Sequence, residues 1–137
     1  MRAHQYFFQV QMDMTIFAFM THAHNLGSEI TGYMQQNGAL KEFARGDPQK
    51  PQTFHKMQHF WPLNEGDVMN ARCSFDGTKA NKTTSIGMLR KTKLNVCFYN
   101  FTPNYAGFRT SDAMCKLFVM YFFDHAKHAF YMENPCY

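Results

Sequence analysis

Short apolar segments broken by turn signals restrict this chain to a β-fold more strongly than any other feature. "SEITGYM" and "ALKEFA" flank "QQNG", whose Asn37-Gly38 pair suits the positive φ angles of a tight hairpin. Asn25-Leu26-Gly27, the proline-bearing "GDPQKPQ", the run "PLNEGD" and Asp76-Gly77 are further breaks. Between them stand "TFHKMQHF", "VMNARCSF", "KLNVCFYNF" and "KLFVMYFF", rich in β-branched and aromatic residues. An apolar stretch with partial alternation runs from Phe7 to Ala23. No helical period is sustained, and there is no internal repeat. Many short strands in succession predict an all-β, antiparallel β-sandwich.

The remaining bounds are compositional. A chain of 137 residues forms one domain, long enough to bury about two-thirds of its unfolded surface. Aromatic residues make up 17% and charged residues 18%, which excludes a disordered polymer. The net charge of +4 is scattered; Arg90, Lys91 and Lys93 are the one cluster, and a solvated loop accounts for it better than nucleic acid does. "CKLFVMYFF" is the longest apolar run and falls well short of a membrane span. Gln9, Gln11 and Asp13 interrupt the first residues, so no signal-peptide core lies there and export would need a segment upstream of Met1.

Cys73, Cys97, Cys115 and Cys136 contain no CxxC pair, which argues against a zinc knuckle or thioredoxin-type site. An even count fits two disulfides, with three connectivities open. Two sequons, at Asn81 and Asn100, are compatible with a glycosylated, secreted protein. Together these features favour an oxidising compartment: the extracellular space or a secretory-vesicle lumen.

The stretch "FAFMTHAHNLG" carries the chemistry. Residues i and i+2 of a strand project from one face, about 6.5–7 Å apart, so His22 and His24 are placed to share one metal ion. Taken alone, an HxH pair more often marks a polar strand end beside a turn. His55 and His59 have a helical metal spacing but sit in a strand-like stretch without the glutamate of a protease motif; His125 and His128 fall near a strand end. Surface or turn roles suit both pairs better.

With these residues in view, "MTHAHNLGSEITGYMQQNGALKEFARGDPQKPQTF", "GDVMNARCSF" and "TSDAMCKLFVMYF" resemble the C-terminal copper domain of the copper type II, ascorbate-dependent monooxygenases. "PQKPQTF" favours the peptidylglycine α-hydroxylating, peptide-amidating branch. The resemblance runs from Phe7 to Cys136 apart from one inserted segment. It implies a jelly-roll type of β-sandwich and a copper held by His22, His24 and Met114. Soft thioether and adaptable imidazole suit a copper that changes oxidation state. It further implies hydroxylation of the glycine Cα of a glycine-extended peptide. Ascorbate supplies the electrons through a second copper in an N-terminal domain, which residues 1–137 do not include. A disulfide between Cys73 and Cys115 is likewise implied.

Three departures accompany the resemblance. The family contacts the substrate carboxylate through an arginine, an asparagine and a tyrosine; those positions here are Met20, Lys116 and Phe118. Lys116 offers a cation without the planar fork of arginine. The family partner of Cys136 falls at Phe7, which leaves Cys136 to pair with the additional Cys97 or remain free. The segment at about 88–109, "MLRKTKLNVCFYNFTPNYAGFR", is either an added hairpin or translated intron. The leading expectation is a copper monooxygenase domain, incomplete alone. The alternative is a non-catalytic secreted β-sandwich that binds copper or peptide, and a purely structural sandwich ranks third.

Overall fold

Alternation of buried and outward side chains, cut by the turns named above, yields eight strands among the described residues. They are β1 (Arg2–Gln9), β2 (Met14–Ala23), β3 (Gly27–Gln36), β4 (Ala39–Gly46), β5 (His55–Leu63), β6 (Val68–Phe75), β7 (Tyr99–Asn100) and β8 (Cys115–Phe122). A short 3-10 turn, Gly77–Lys79, follows β6. The computed structural model describes residues 2–79, 99–100, 114–124 and 126, with side chains for 7–78, 114–124 and 126. His125, His128, Cys97, Cys136 and the sequon at Asn81 lie outside the described residues. Of the 88–109 segment, Tyr99 and Asn100 alone are described, paired with Val119 and Phe118 of β8.

The strands form two antiparallel sheets, ordered β1-β6-β3-β4 and β5-β2-β8-β7. Their facing sides share one core that draws Ile30, Met34, Met69 and Cys73 from the first sheet and Ile16, Leu117 and Val119 from the second. Two sheets closed over a common apolar layer make a β-sandwich, as the sequence predicts. At Gly32 an added Cβ would stand 2.8 Å from Leu117 Cδ2 of the opposite sheet, so glycine lets the layers approach there. The bridge Cys73–Cys115 joins β6 to β8 across that layer, with Cα atoms 6.3 Å apart.

The β3–β4 hairpin turns at Asn37 (φ 50°) and Gly38 (φ 78°), the left-handed pair that the sequence predicts. The turn expected over "PLNEGD" begins later, because Pro62 and Leu63 extend β5 opposite Thr15 and Met14. Proline is tolerated there since β5 is an edge strand, and its missing N–H costs no ladder hydrogen bond. The Pro62 carbonyl instead accepts from Gln36 Nε2 at 3.0 Å.

A bulge in β2 decides where the histidines point. Ile16 stands opposite Tyr121 and Ala18 opposite Met120, so β2 carries one extra residue at Phe17. Before the bulge Met14 and Ile16 are buried; after it Phe19, Thr21 and Ala23 stand opposite the buried Val119, Leu117 and Cys115, while Ala18, opposite Met120, is buried as well. Without that inversion His22 and His24 would continue the inward series begun at Met14. The bulge turns them outward.

Candidate metal centre

β2 and β8 are neighbours, and their register aligns the residues that the resemblance assigns to the copper and to the substrate carboxylate. Met20 stands opposite Phe118, His22 opposite Lys116, and Ala23 opposite Cys115. One step further, His24 N–H donates to the Met114 carbonyl at 3.2 Å. Thr21, Ala23, Cys115 and Leu117 are the buried, inward positions. Alternation therefore sends Met20, His22, Lys116 and Phe118 to the outer face of the sheet, with His24 and Met114 following at the strand ends. The two imidazole rings lie 5.6 Å apart, centroid to centroid, at 85° to each other.

The end of β2 is held in place from several directions. The turn after it closes with Gly27 N–H donating to the His24 carbonyl at 2.8 Å. Glycine is required at 27, where a Cβ would collide with that of Ala23. Gln49 Nε2 donates to the carbonyls of both His24 (3.1 Å) and Gly27 (2.9 Å), and Asp76 N–H donates to the Leu26 carbonyl at 2.7 Å. On the other strand, Met114 is 8% exposed and precedes Cys115, whose disulfide anchors it to β6. Both flanks of the site are thus tied to the opposite sheet or to the proline-bearing loop.

The electrostatics favour neutral donors. Burial lowers the pKa of His22 below its ordinary value, and the charges of His24 and Lys116 lower it further. Burial likewise lowers the Lys116 ammonium. His22 Nδ1 is buried and has no hydrogen-bond partner. A buried nitrogen lone pair of that kind calls for an explanation, and a metal ion supplies one. Among the described residues no three His, Cys, Asp or Glu side chains converge. The residue aligned with His24 across the pair is instead Met114, a thioether; two imidazoles and a soft sulfur are a donor set that fits copper better than zinc or a hard cation.

Other candidates fall elsewhere. His55 lies across from Phe19 on β5, its ring 5.7 Å from that of Phe19, and His59 is exposed on the same strand. A cleft of about 540 Å³, lined by Phe19, Thr21, Arg45, Lys50 and His55 among others, opens on the inner side of β2, away from His22. Gln49 is the positioning residue that motif reasoning passed over. Its only sequence signal is the proline on either side of "PQKP", which marks a stiff loop without revealing what the loop touches.

Sequence comparison gives the class of protein to which this disulfide-linked sandwich belongs. The chain belongs to the copper type II ascorbate-dependent monooxygenase family, whose C-terminal domain profile matches residues 5–101. That span includes His22, His24 and Cys73 and ends before Met114. The chain is similar to the peptidyl-glycine alpha-amidating monooxygenase of Mus musculus, 34% identical over 116 residues, 85% of this chain and 10% of that protein. The Rattus norvegicus protein of corresponding name is 33% identical and form A from Xenopus laevis 29%, with the same coverage. The chain thus spans about a tenth of the length of the curated relatives it matches.

Proposed function

We propose that this chain is the copper-holding half of a peptidylglycine-hydroxylating unit, with His22, His24 and Met114 as the ligands. The observation that supports the reading is the register of β2 and β8, which aligns the positions of His22, His24 and Met114 at one end of the strand pair. Copper, when bound, supplies the one-electron chemistry by which the family hydroxylates with oxygen and ascorbate. The substrate would be a glycine-extended peptide, hydroxylated at the glycine Cα towards C-terminal amidation, and the second copper would come from an N-terminal partner domain.

The chain's own residues contribute preparation and placement. Burial keeps the His22 imidazole neutral at physiological pH, so its lone pair is available without first losing a proton. Gln49 and Gly27 brace the turn after His24, and the His24 N–H bond to the Met114 carbonyl ties it to the residue before β8. The Cys73–Cys115 bridge fixes the backbone beside Met114. That bridge and the sequons support residence in a secretory compartment. A second reading, a copper- or peptide-binding relative that does not hydroxylate, is favoured by Met20, Lys116 and Phe118, which offer a substrate carboxylate no bidentate partner.

The test is copper binding by the 137-residue chain itself. One Cu(I) should bind, with two nitrogen donors and one sulfur donor in its X-ray absorption spectrum. His22→Ala or His24→Ala should abolish tight binding, while His59→Ala should leave it intact. Equal loss in all three variants would refute the ligand assignment.

A further inference from the structure

The donor set proposed above is electrically neutral, and a cation faces it in the β2–β8 register. Lys116 is directly opposite His22 in the β2–β8 register and two residues from Met114. Side chains at directly opposed positions of an antiparallel pair have Cβ atoms about 4.5–5.5 Å apart. Lys116 is half-buried, and the pair next along the same face, Met20 and Phe118, is apolar. Both ion pairs among the described residues belong to Arg45, with Glu29 and Glu42, and neither involves Lys116. A positive charge with no acidic partner among the described residues therefore stands beside the site.

We infer that Lys116 biases this centre towards Cu(I) by acting as a fixed charge beside it. The inference rests on the copper reading given above. A unit positive charge repels Cu(II) twice as strongly as Cu(I). At a partly solvated separation of about 6 Å, Coulomb's law makes each unit of metal charge worth on the order of a tenfold change in affinity. The thioether of Met114 acts in the same direction, because soft sulfur prefers the reduced ion. The geometry thus joins two independent preferences for Cu(I), one from ligand softness and one from charge.

The two preferences separate experimentally. Affinities for Cu(I) and for Cu(II) are measured by competition with chelators of known strength, and the reduction potential by redox titration, for the unaltered chain, Lys116→Gln and Lys116→Arg. Removing the charge with Lys116→Gln should tighten Cu(I) about tenfold and Cu(II) about a hundredfold. The ratio then shifts about tenfold, which lowers the one-electron potential by about 59 mV. Lys116→Arg keeps the charge but has no lone pair to offer, so it should match the unaltered chain. Lys116→Leu, neutral and without a donor atom, serves as a second variant if the glutamine chain fails to fold. An unchanged ratio in the neutral variants would overturn the inference and leave the ligand set standing. An arginine variant that behaves like glutamine would also overturn it, since the amine would then be a ligand. Failure of the unaltered chain to bind either ion would overturn the ligand set and the inference together.

Discussion

At the scale of single residues, the site depends on which property of each side chain matters. Met114 is buried at the start of β8, and a methionine in that setting can serve packing, ligation or both. Met114→Leu separates the two roles, because the volumes are close and such swaps in a packed site cost less than about 1.5 kcal/mol. Stability to urea should therefore hardly change. Cu(I) affinity should fall by at least tenfold, and Cu(II) affinity by much less, because the lost donor is the soft one. Parallel affinity measurements for the two ions check this, and an equal fall in both would mean that Met114 shapes the site without ligating.

Among elements, β2 carries the heaviest demand, since it must bury one end of its alternation and present the other. The bulge at Phe17 reconciles the two requirements. Deleting Phe17 would restore continuous alternation and turn His22 and His24 towards Leu117 and Cys115, placing two imidazoles in an apolar layer. The deletion variant should lose copper binding and unfold at much lower urea, both measurable on one preparation; a variant with native-like stability and binding would show that the register is set elsewhere. The bulge also explains what the sequence conceals. Strand and turn positions were legible because Asn37-Gly38, Asp76-Gly77 and the β-branched runs act locally. The candidate ligands were legible through a motif that spans two distant strands. The direction in which they point was not, for "MTIFAFMTHA" reads as imperfect alternation until the pairing with β8 reveals the extra residue. The clamp by Gln49 was hidden for the same reason: a loop's contacts belong to tertiary structure.

For the whole molecule, the two sheets and the site are linked through the Cys73–Cys115 bridge. It closes a sequence separation of 42 residues, for which the chain-entropy relation gives about 4 kcal/mol, a large share of the 5–15 kcal/mol typical of a domain. The double variant Cys73→Ala, Cys115→Ala should therefore unfold at much lower urea than the oxidised chain, and added dithiothreitol should not destabilise it further; matching midpoints would remove the bridge from the stability argument. Activity has a stricter requirement. Placing one oxygen atom in a C–O bond and reducing the other to water consumes two electrons and two protons beyond the substrate's own C–H bond. One copper exchanging between Cu(I) and Cu(II) provides a single electron. Under the proposed function, a glycine-extended peptide would meet Met20, Lys116 and Phe118 where the family resemblance places its carboxylate contacts, a single ammonium in place of a planar, bidentate fork. The copper-loaded chain, incubated with ascorbate, oxygen and such a peptide and followed by mass spectrometry, should yield less than one product per copper. Many turnovers by this chain alone would mean that it draws the second electron directly from solution and needs no partner domain.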